Sequence, residues 1–272
     1  MPPTCTHNSR HQSIMNLRHN PMRFMRNPLQ GSTPTIHSQT LRCQNCHLRK
    51  ISNATRTHQT KHQRPRLRLM PLGGSITYGS KSSDGNGYRK PLYDLLLADG
   101  YDVEMLGSRR AGTMAQNSNE GWRGFRIDQI EGKVVRSVAK HLPDVITFNA
   151  GSNDCRQQYE IDAAGQRIRK LLEALWDASP RSTIILSTLV RSAQEDAERA
   201  VVRVNEQILE LSKELVASRR RLVLVNMHVA ALGLGDLADG THPNDGGYLK
   251  MGRIWYDGIK EAESEGLLEL RE

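Results

Sequence analysis

The chain has 272 residues, a formal net charge of +9 and 37% hydrophobic residues, room for one domain of about 200 residues and an appendage. The charge is uneven: residues 1–65 hold ten Lys or Arg and no Asp or Glu, whereas the remainder holds 28 basic against 29 acidic residues. This division argues against a basic nucleic-acid-binding domain in residues 66–272, and no run approaches the roughly 18 apolar residues of a membrane-spanning helix.

Residues 1–65 carry scattered single hydrophobes, seven of the ten histidines and no sustained period of 2 or 3.6. Such a segment buries too little apolar surface to offset its ordering entropy, so it is expected to be a disordered, basic extension. Its Arg- and Ser/Thr-rich, acid-free composition resembles a mitochondrial transit peptide, and it lacks the apolar core of a secretory signal, so the compartment stays open. Cys43-Gln-Asn-Cys46-His47 has c-type haem spacing, and His37, His58 and His62 are metal-ligand types nearby. The pattern is short and without a helical scaffold, so neither a cofactor nor a metal is expected. Beyond this segment only Cys155 occurs, and one thiol makes no internal disulfide.

From Arg66 the pattern becomes regular. An apolar run, Leu67 to Leu72, predicts a first strand that stops at Gly73-Gly-Ser75, the look of a strand entering a helix through a tight turn. A Gly/Ser/Asp loop, Ser82 to Gly87, leads to a helix near Lys90 to Ala98, and Tyr101 to Leu106 predicts a second strand. A long polar loop then reaches Gly121-Trp-Arg-Gly124. Ile127, Ile130, Val134 and Val138 recur at intervals of three and four, an amphipathic helix. Pro143 to Ala150 is a nearly continuous apolar strand ending at Gly151-Ser-Asn-Asp154. A helix through Ile161 to Leu175, a strand from Thr183 to Leu189, a helix through Val201 to Leu215 and a strand from Arg221 to Asn226 follow. Asp239-Gly-Thr-His-Pro243 then precedes a last helix through Tyr248, Met251, Trp255 and Ile259. Five strands alternating with helices predict an α/β fold, a three-layer αβα sandwich around a five-stranded parallel sheet.

Ser75, Asn153 and the Asp239/His242 pair all follow strands, so the topology brings them to the carboxyl edge of one sheet. These are the parts of an acyl-transfer site: Ser75 as nucleophile, His242 as base and Asp239 as the group that orients the imidazole. The N–H groups of Ser75 and Gly124 and the amide of Asn153 are oxyanion-hole candidates. Singly, each has a bland reading: Ser75 or Asn153 as a helix cap, Asp239-Gly240 as a turn and His242 as a loop residue. Their common address favours the chemical reading. A G-x-S-x-G elbow is absent, because the next glycine follows Ser75 by four residues. The Gly74–Gly79 spacing suits a phosphate-binding loop, but Lys81 stands one residue out of register.

Gly73-Gly-Ser-Ile-Thr-Tyr-Gly79, Gly121-Trp-Arg-Gly124, Gly151-Ser-Asn-Asp154 and Asp239-Gly-Thr-His-Pro243 resemble, in order, the four blocks of the SGNH hydrolases, also called GDSL esterases and lipases. Met70-Pro-Leu, Asp84-Gly-Asn-Gly-Tyr88, Asn119-Glu-Gly-Trp122 and Arg126-Ile-Asp-Gln-Ile130 are similar to the acetylxylan-esterase-like branch, carbohydrate esterase family three. The resemblance implies a flavodoxin-like strand order 2-1-3-4-5, Ser75, His242 and Asp239 as a triad, Gly124 and Asn153 as oxyanion donors, and no cofactor or metal. It also implies a small-molecule or polysaccharide ester as substrate, with lysophospholipid or thioester hydrolysis, or an inactive binding relative, as the alternatives. Two positions depart from the family pattern. Gly74 replaces the usual Asp and is expected to loosen the turn, and Arg123 replaces a small residue, where its guanidinium could narrow the site or meet an anionic substrate. Trp122 is readable as a sugar platform or as packing, with packing favoured.

Overall fold

The structure, a computed structural model, describes residues 66–270; the haem-type and metal readings on Cys43, Cys46, His47, His37, His58 and His62 lie outside the described residues. The sheet is organised around β1 (Arg66–Gly73). Period-two alternation sends Leu67 and Leu69 to one face of it and Met70 and Leu72 to the other, and both faces are buried. One edge of β1 pairs in parallel with β5 (Val145–Asn149), Leu69 opposite Val145 through Gly73 opposite Asn149. The other edge is shared. β2 (Asp102–Met105) runs beside its first half and β4 (Ser118–Gly121) beside its last two residues. β6 (Thr183–Ser187) and β7 (Leu222–Val225) extend the sheet beyond β5, so the five strands expected from sequence stand in the order β2-β1-β5-β6-β7, which is 2-1-3-4-5.

The sheet has seven strands rather than five. The segment read as a long polar loop folds into β3 (Arg109–Arg110), antiparallel to β4, and β4 itself. Neither strand has an apolar period to announce it; Asn119 and Glu120 of β4 are fully buried through hydrogen bonds instead of apolar contacts.

Helices α3 (Ile127–His141), α5 (Ala164–Ala178) and α6 (Glu195–Ala217) cover the Met70/Leu72 face through the 3.6-period residues that predict them. On the opposite face α2 (Arg89–Ala98) and α7 (Asp245–Ser264) pack Leu92, Leu96, Met251, Trp255 and Ile259 against Leu67, Leu69 and Val223. These layers make the αβα sandwich. No helix among the described residues is long and apolar enough to cross a membrane.

Charged residues also lie inside this packing, Arg89, Glu120, Asp144 and Asp154 among them. Arg89, the first residue of α2, is fully buried and donates to five backbone carbonyls: Thr77, Tyr78, Gly85, Ala111 and Asn117. Those carbonyls belong to the turn after β1, the Ser82–Gly87 loop and the β3–β4 hairpin. Burial draws the guanidinium pKa down, but five acceptors satisfy its donors. One side chain thus fixes three loops that share no regular pairing. Replacing Arg89 with Met should lower unfolding free energy by about 3–5 kcal/mol, the scale for stripping a partner from a buried charged network, and Arg89→Lys should recover only part of it. Urea denaturation reads this directly; a loss below about 1 kcal/mol for Arg89→Met would show that the loops hold without it.

Candidate active site

β1 ends where its neighbours leave no room for a side chain. A Cβ on Gly73 would overlap the Asn149 carbonyl of β5. On the other edge the Trp122 N–H donates to Gly73 O at 2.8 Å. The chain therefore leaves the sheet at Gly74 and turns at once into the short helix α1 (Ser75–Tyr78). Gly74 is the N-cap, so Ser75 is not a capping residue; its hydroxyl lies 2.8 Å from His242 Nε2. The N–H groups of Tyr78, Gly79 and Ser80 turn inward onto the carbonyls of Gly74 and Ser75. Amides spent in that way cannot cradle a phosphate, which removes the support for the phosphate-loop reading.

His242 and Asp239 sit in the loop between β7 and α7. Asp239 Oδ1 accepts the N–H groups of Thr241 (3.1 Å) and His242 (2.9 Å), an Asx-type turn, while Oδ2 faces His242 Nδ1 at 2.9 Å. The tautomer protonated on Nδ1 satisfies this contact and leaves Nε2 to accept the Ser75 proton. Burial alone would raise the Asp239 carboxyl; the hydrogen bonds from the His242 N–H and ring, with the His242 charge and the Thr241 N–H, outweigh it and hold the pKa at about 2. Lys81 Nζ lies 3.9 Å from the same carboxylate. The loop is pinned by Ala238 N–H to His242 O (2.8 Å), Ala193 N–H to Gly240 O (2.8 Å) and Asn244, which caps α7 by accepting from Gly247.

Asn153 is the second residue of α4 (Ser152–Gln157), after β5. It does not cap that helix. Its amide donates to Phe125 O at 3.0 Å, and its Nδ2 lies 3.6 Å from where a Cβ on Gly74 would stand, beside the Gly74–Ser75 turn. The same virtual Cβ has Trp122 O at 3.9 Å, so the 122–124 segment flanks the turn. Gly124 has φ +80, and neither its N–H nor that of Ser75 donates to an acceptor among the described residues. Ser75, Phe125, Asn149, Gly151 and Asn153 line a recess of about 10 Å³. The Ser80–Gly87 and Gly107–Gly121 segments do not line this recess. At Gly74 the neighbours stand at ordinary contact distance, leaving space for a side chain.

Trp122 packs against Phe125 at 5.5 Å between ring centroids and donates its indole N–H to Glu120 at 3.0 Å, the packing expected from sequence. Three residues that sequence reasoning missed hold the parts in register. Glu120 accepts from Ser108 N–H, Ser108 Oγ, Ser137 Oγ and Trp122, and so anchors the segment leading to Gly124. Tyr248 donates to Ser80 O at 2.6 Å, and Asp245 accepts Ser83 N–H at 2.8 Å. Both of these come from α7, so the helix that follows His242 is tied to the loop that follows Ser75. Burial pushes the Cys155 thiol up to about 12, which leaves it protonated and a poor nucleophile. No cluster of His, Cys, Asp or Glu among the described residues could hold a metal ion.

A hydroxyl, an imidazole and a carboxylate thus stand in one hydrogen-bonded chain at the carboxyl edge of a parallel αβα sheet, with the serine at its switch point. The chain belongs to the GDSL-like lipase/acylhydrolase family, whose model matches residues 72–250. It is 28% identical over 223 residues to a multidomain esterase of Ruminococcus flavefaciens; the match takes in 71% of this chain and spans 28% of that protein's length. Among solved structures it is similar to a family 3 carbohydrate esterase of Clostridium thermocellum, with TM-score 0.67, 23% identity, 74% of this chain and 98% of that one covered. A family 3 carbohydrate esterase of Talaromyces cellulolyticus aligns with TM-score 0.64 and 20% identity over 73% of this chain and 99% of that one. A mutant of an acetyl-xylooligosaccharide esterase of Geobacillus stearothermophilus aligns with TM-score 0.55 and 19% identity over 72% of this chain and 94% of that one. At these identities the structural likenesses establish the fold.

The depressed Asp239 pKa makes a stability prediction with a definite sign. A carboxyl whose folded pKa lies below its unfolded value, about 3.9, stabilises the fold fully above that value and loses the contribution as pH falls toward the folded one. Asp239→Asn should therefore melt below the wild type at pH 6, with the difference narrowing as the pH is lowered to 3. Melting curves at matched ionic strength measure this. A gap constant over that range would mean that the carboxylate interactions drawn here do not stabilise the fold.

Proposed function

We propose that residues 66–272 form a serine esterase domain that hydrolyses short-chain, acetyl-sized carboxylic esters, with acetylated carbohydrate as the substrate class. The observation that carries the proposal is the continuous contact from Ser75 Oγ through the His242 ring to the Asp239 carboxylate. In this reading His242 Nε2 takes the Ser75 proton as Oγ attacks the ester carbonyl, and Asp239 stabilises the imidazolium that forms. The developing oxyanion is met by the N–H groups of Ser75 and Gly124 and by the Asn153 amide. The intermediate collapses when His242 returns the proton to the leaving alcohol oxygen, which breaks the ester C–O bond and leaves the acyl group on Ser75. Water, deprotonated by His242, then releases the acid and restores the hydroxyl. All of this is done by the chain's own residues.

The size of the acyl group is argued from the recess beside Ser75. About 10 Å³ is roughly one water's worth of space, so an acyl group seated there would have to be short. The carbohydrate moiety is supported by the printed names of the similar structures, carbohydrate esterases and an acetyl-xylooligosaccharide esterase.

Hydrolysis of 4-nitrophenyl esters of increasing acyl length, and acetate release from acetylated xylan, test the proposal. Wild-type protein should favour acetate over octanoate. Ser75→Ala and His242→Ala should each lower kcat by a factor of 10³ or more, and Asn153→Ala by about 10²–10³, the scale for one oxyanion donor. Wild-type inactivity at every acyl length would instead identify a binding relative, and a preference for octanoate would identify a lipid esterase.

A further inference from the structure

Beside the nucleophile turn stands a group of cations with no acidic partner. Tyr78 follows Ser75 by one helical turn, on the same side of α1. Two guanidiniums face its ring: Arg109 Cζ lies 5.8 Å and Arg123 Cζ 5.6 Å from the centroid. Arg109 also lies 4.6 Å from the centre of Trp122, whose ring is approached from Lys133 at 5.7 Å. None of these three cations forms an ion pair with a carboxylate among the described residues, and Arg109 Nε is buried without an acceptor. Glu120 is the carboxylate at hand, but its oxygens are taken by Ser108, Ser137 and the Trp122 indole.

Like charges sharing one aromatic ring repel each other, and cation–π contacts offset only part of that cost. Other arginines that lie against a ring also hold a carboxylate, as Arg253 does with Tyr256 and Asp257 and Arg167 with Tyr159 and Asp154. Arg109 and Arg123 have the ring without the carboxylate, which keeps planar donor forks in place and leaves them chemically unspent. The position is close to the chemistry, because Arg123 immediately precedes Gly124 and Trp122 O flanks the turn at Gly74.

We propose that Arg109 and Arg123, held by Tyr78 and Trp122, form a subsite for a carboxylate carried on the alcohol moiety of the substrate, so that the domain prefers acetyl esters of acidic alcohols, such as uronate-containing sugars, to neutral ones. The inference rests on the esterase reading above and adds the charge of the leaving group.

The test compares 4-acetoxybenzoate with its methyl ester, two acetyl esters that differ in the distal charge. The ratio of kcat/KM, anionic over neutral, should fall by about tenfold or more in Arg109→Met and in Arg123→Met, the scale of one lost charge-assisted hydrogen bond. Arg109→Lys should keep part of the ratio, and added salt should lower it in the wild type. Acetylated polygalacturonate against acetylated xylan carries the comparison to polymers and separates a sugar acid from other carboxylates. Calorimetry on Ser75→Ala protein gives a readout independent of turnover: it should bind 4-acetoxybenzoate more tightly than the methyl ester. Wild-type hydrolysis of both esters with a ratio unchanged in both Met variants overturns the subsite and leaves the esterase reading standing. Hydrolysis of neither ester, with no preferential binding of the anion to Ser75→Ala, overturns both.

Discussion

The close approach of β1 to β5 at Gly73 is the constraint on which the site depends. The two strands run parallel and in contact up to Gly73 and Asn149, and at that point the Asn149 carbonyl occupies the space a side chain would need. β4 closes the other edge through Trp122 N–H and Gly73 O. Held on both sides, β1 has one exit, the turn at Gly74, and Ser75 leaves the sheet at the point where the strand order reverses. Open parallel sheets form their crevice there. The glycine is thus a packing requirement first; the exposure of the serine follows from it. A side chain at 73 would push β1 from β5 and move the hydroxyl off the His242 nitrogen that it meets at 2.8 Å.

Around this exit the polypeptide is irregular, and polar side chains do the work that ladders do elsewhere. Arg89 gathers the carbonyls of three loops, Glu120 gathers the donors of the β3–β4 hairpin and Trp122, and Tyr248 with Asp245 ties α7 to the Ser80–Ser83 segment. Each uses a charged or hydroxyl-bearing side chain to satisfy backbone groups that no strand or helix partner reaches. The consequence is mechanical. His242 stands two residues before the N-cap of a helix anchored in the core by Trp255, and that helix is bonded to the loop that follows Ser75. The two partners are therefore set by different elements but share one frame.

These features divide cleanly by what a sequence can display. The parallel strands are legible because their two buried faces demand apolar runs, Leu67 to Leu72 and Val145 to Phe148, and the helices because α3, α5, α6 and α7 each bury one stripe. Ser75, Asp239 and His242 are legible because short glycine-flanked blocks follow strands, and the structure brings them together. The β3–β4 hairpin is not. Its strands are two and four residues long, and their stability comes from pairing with β1 and from Glu120, neither of which leaves a periodic mark. Arg89 reads as an ordinary polar residue at a helix start, since nothing local shows that five carbonyls from up to 28 residues away converge on it.

In the proposed mechanism the reactivity of Ser75 comes from its position and from His242, with Asp239 holding the ring. That claim is tested most directly by covalent labelling with a small fluorophosphonate, followed by peptide mass spectrometry and by labelling rates for the wild type and for His242→Ala. The predicted result is a single phosphonyl adduct on the peptide containing Ser75, formed at least a hundredfold more slowly, or not at all, when the imidazole is removed. An adduct on another residue, or labelling of Ser75 at the same rate without His242, would contradict it.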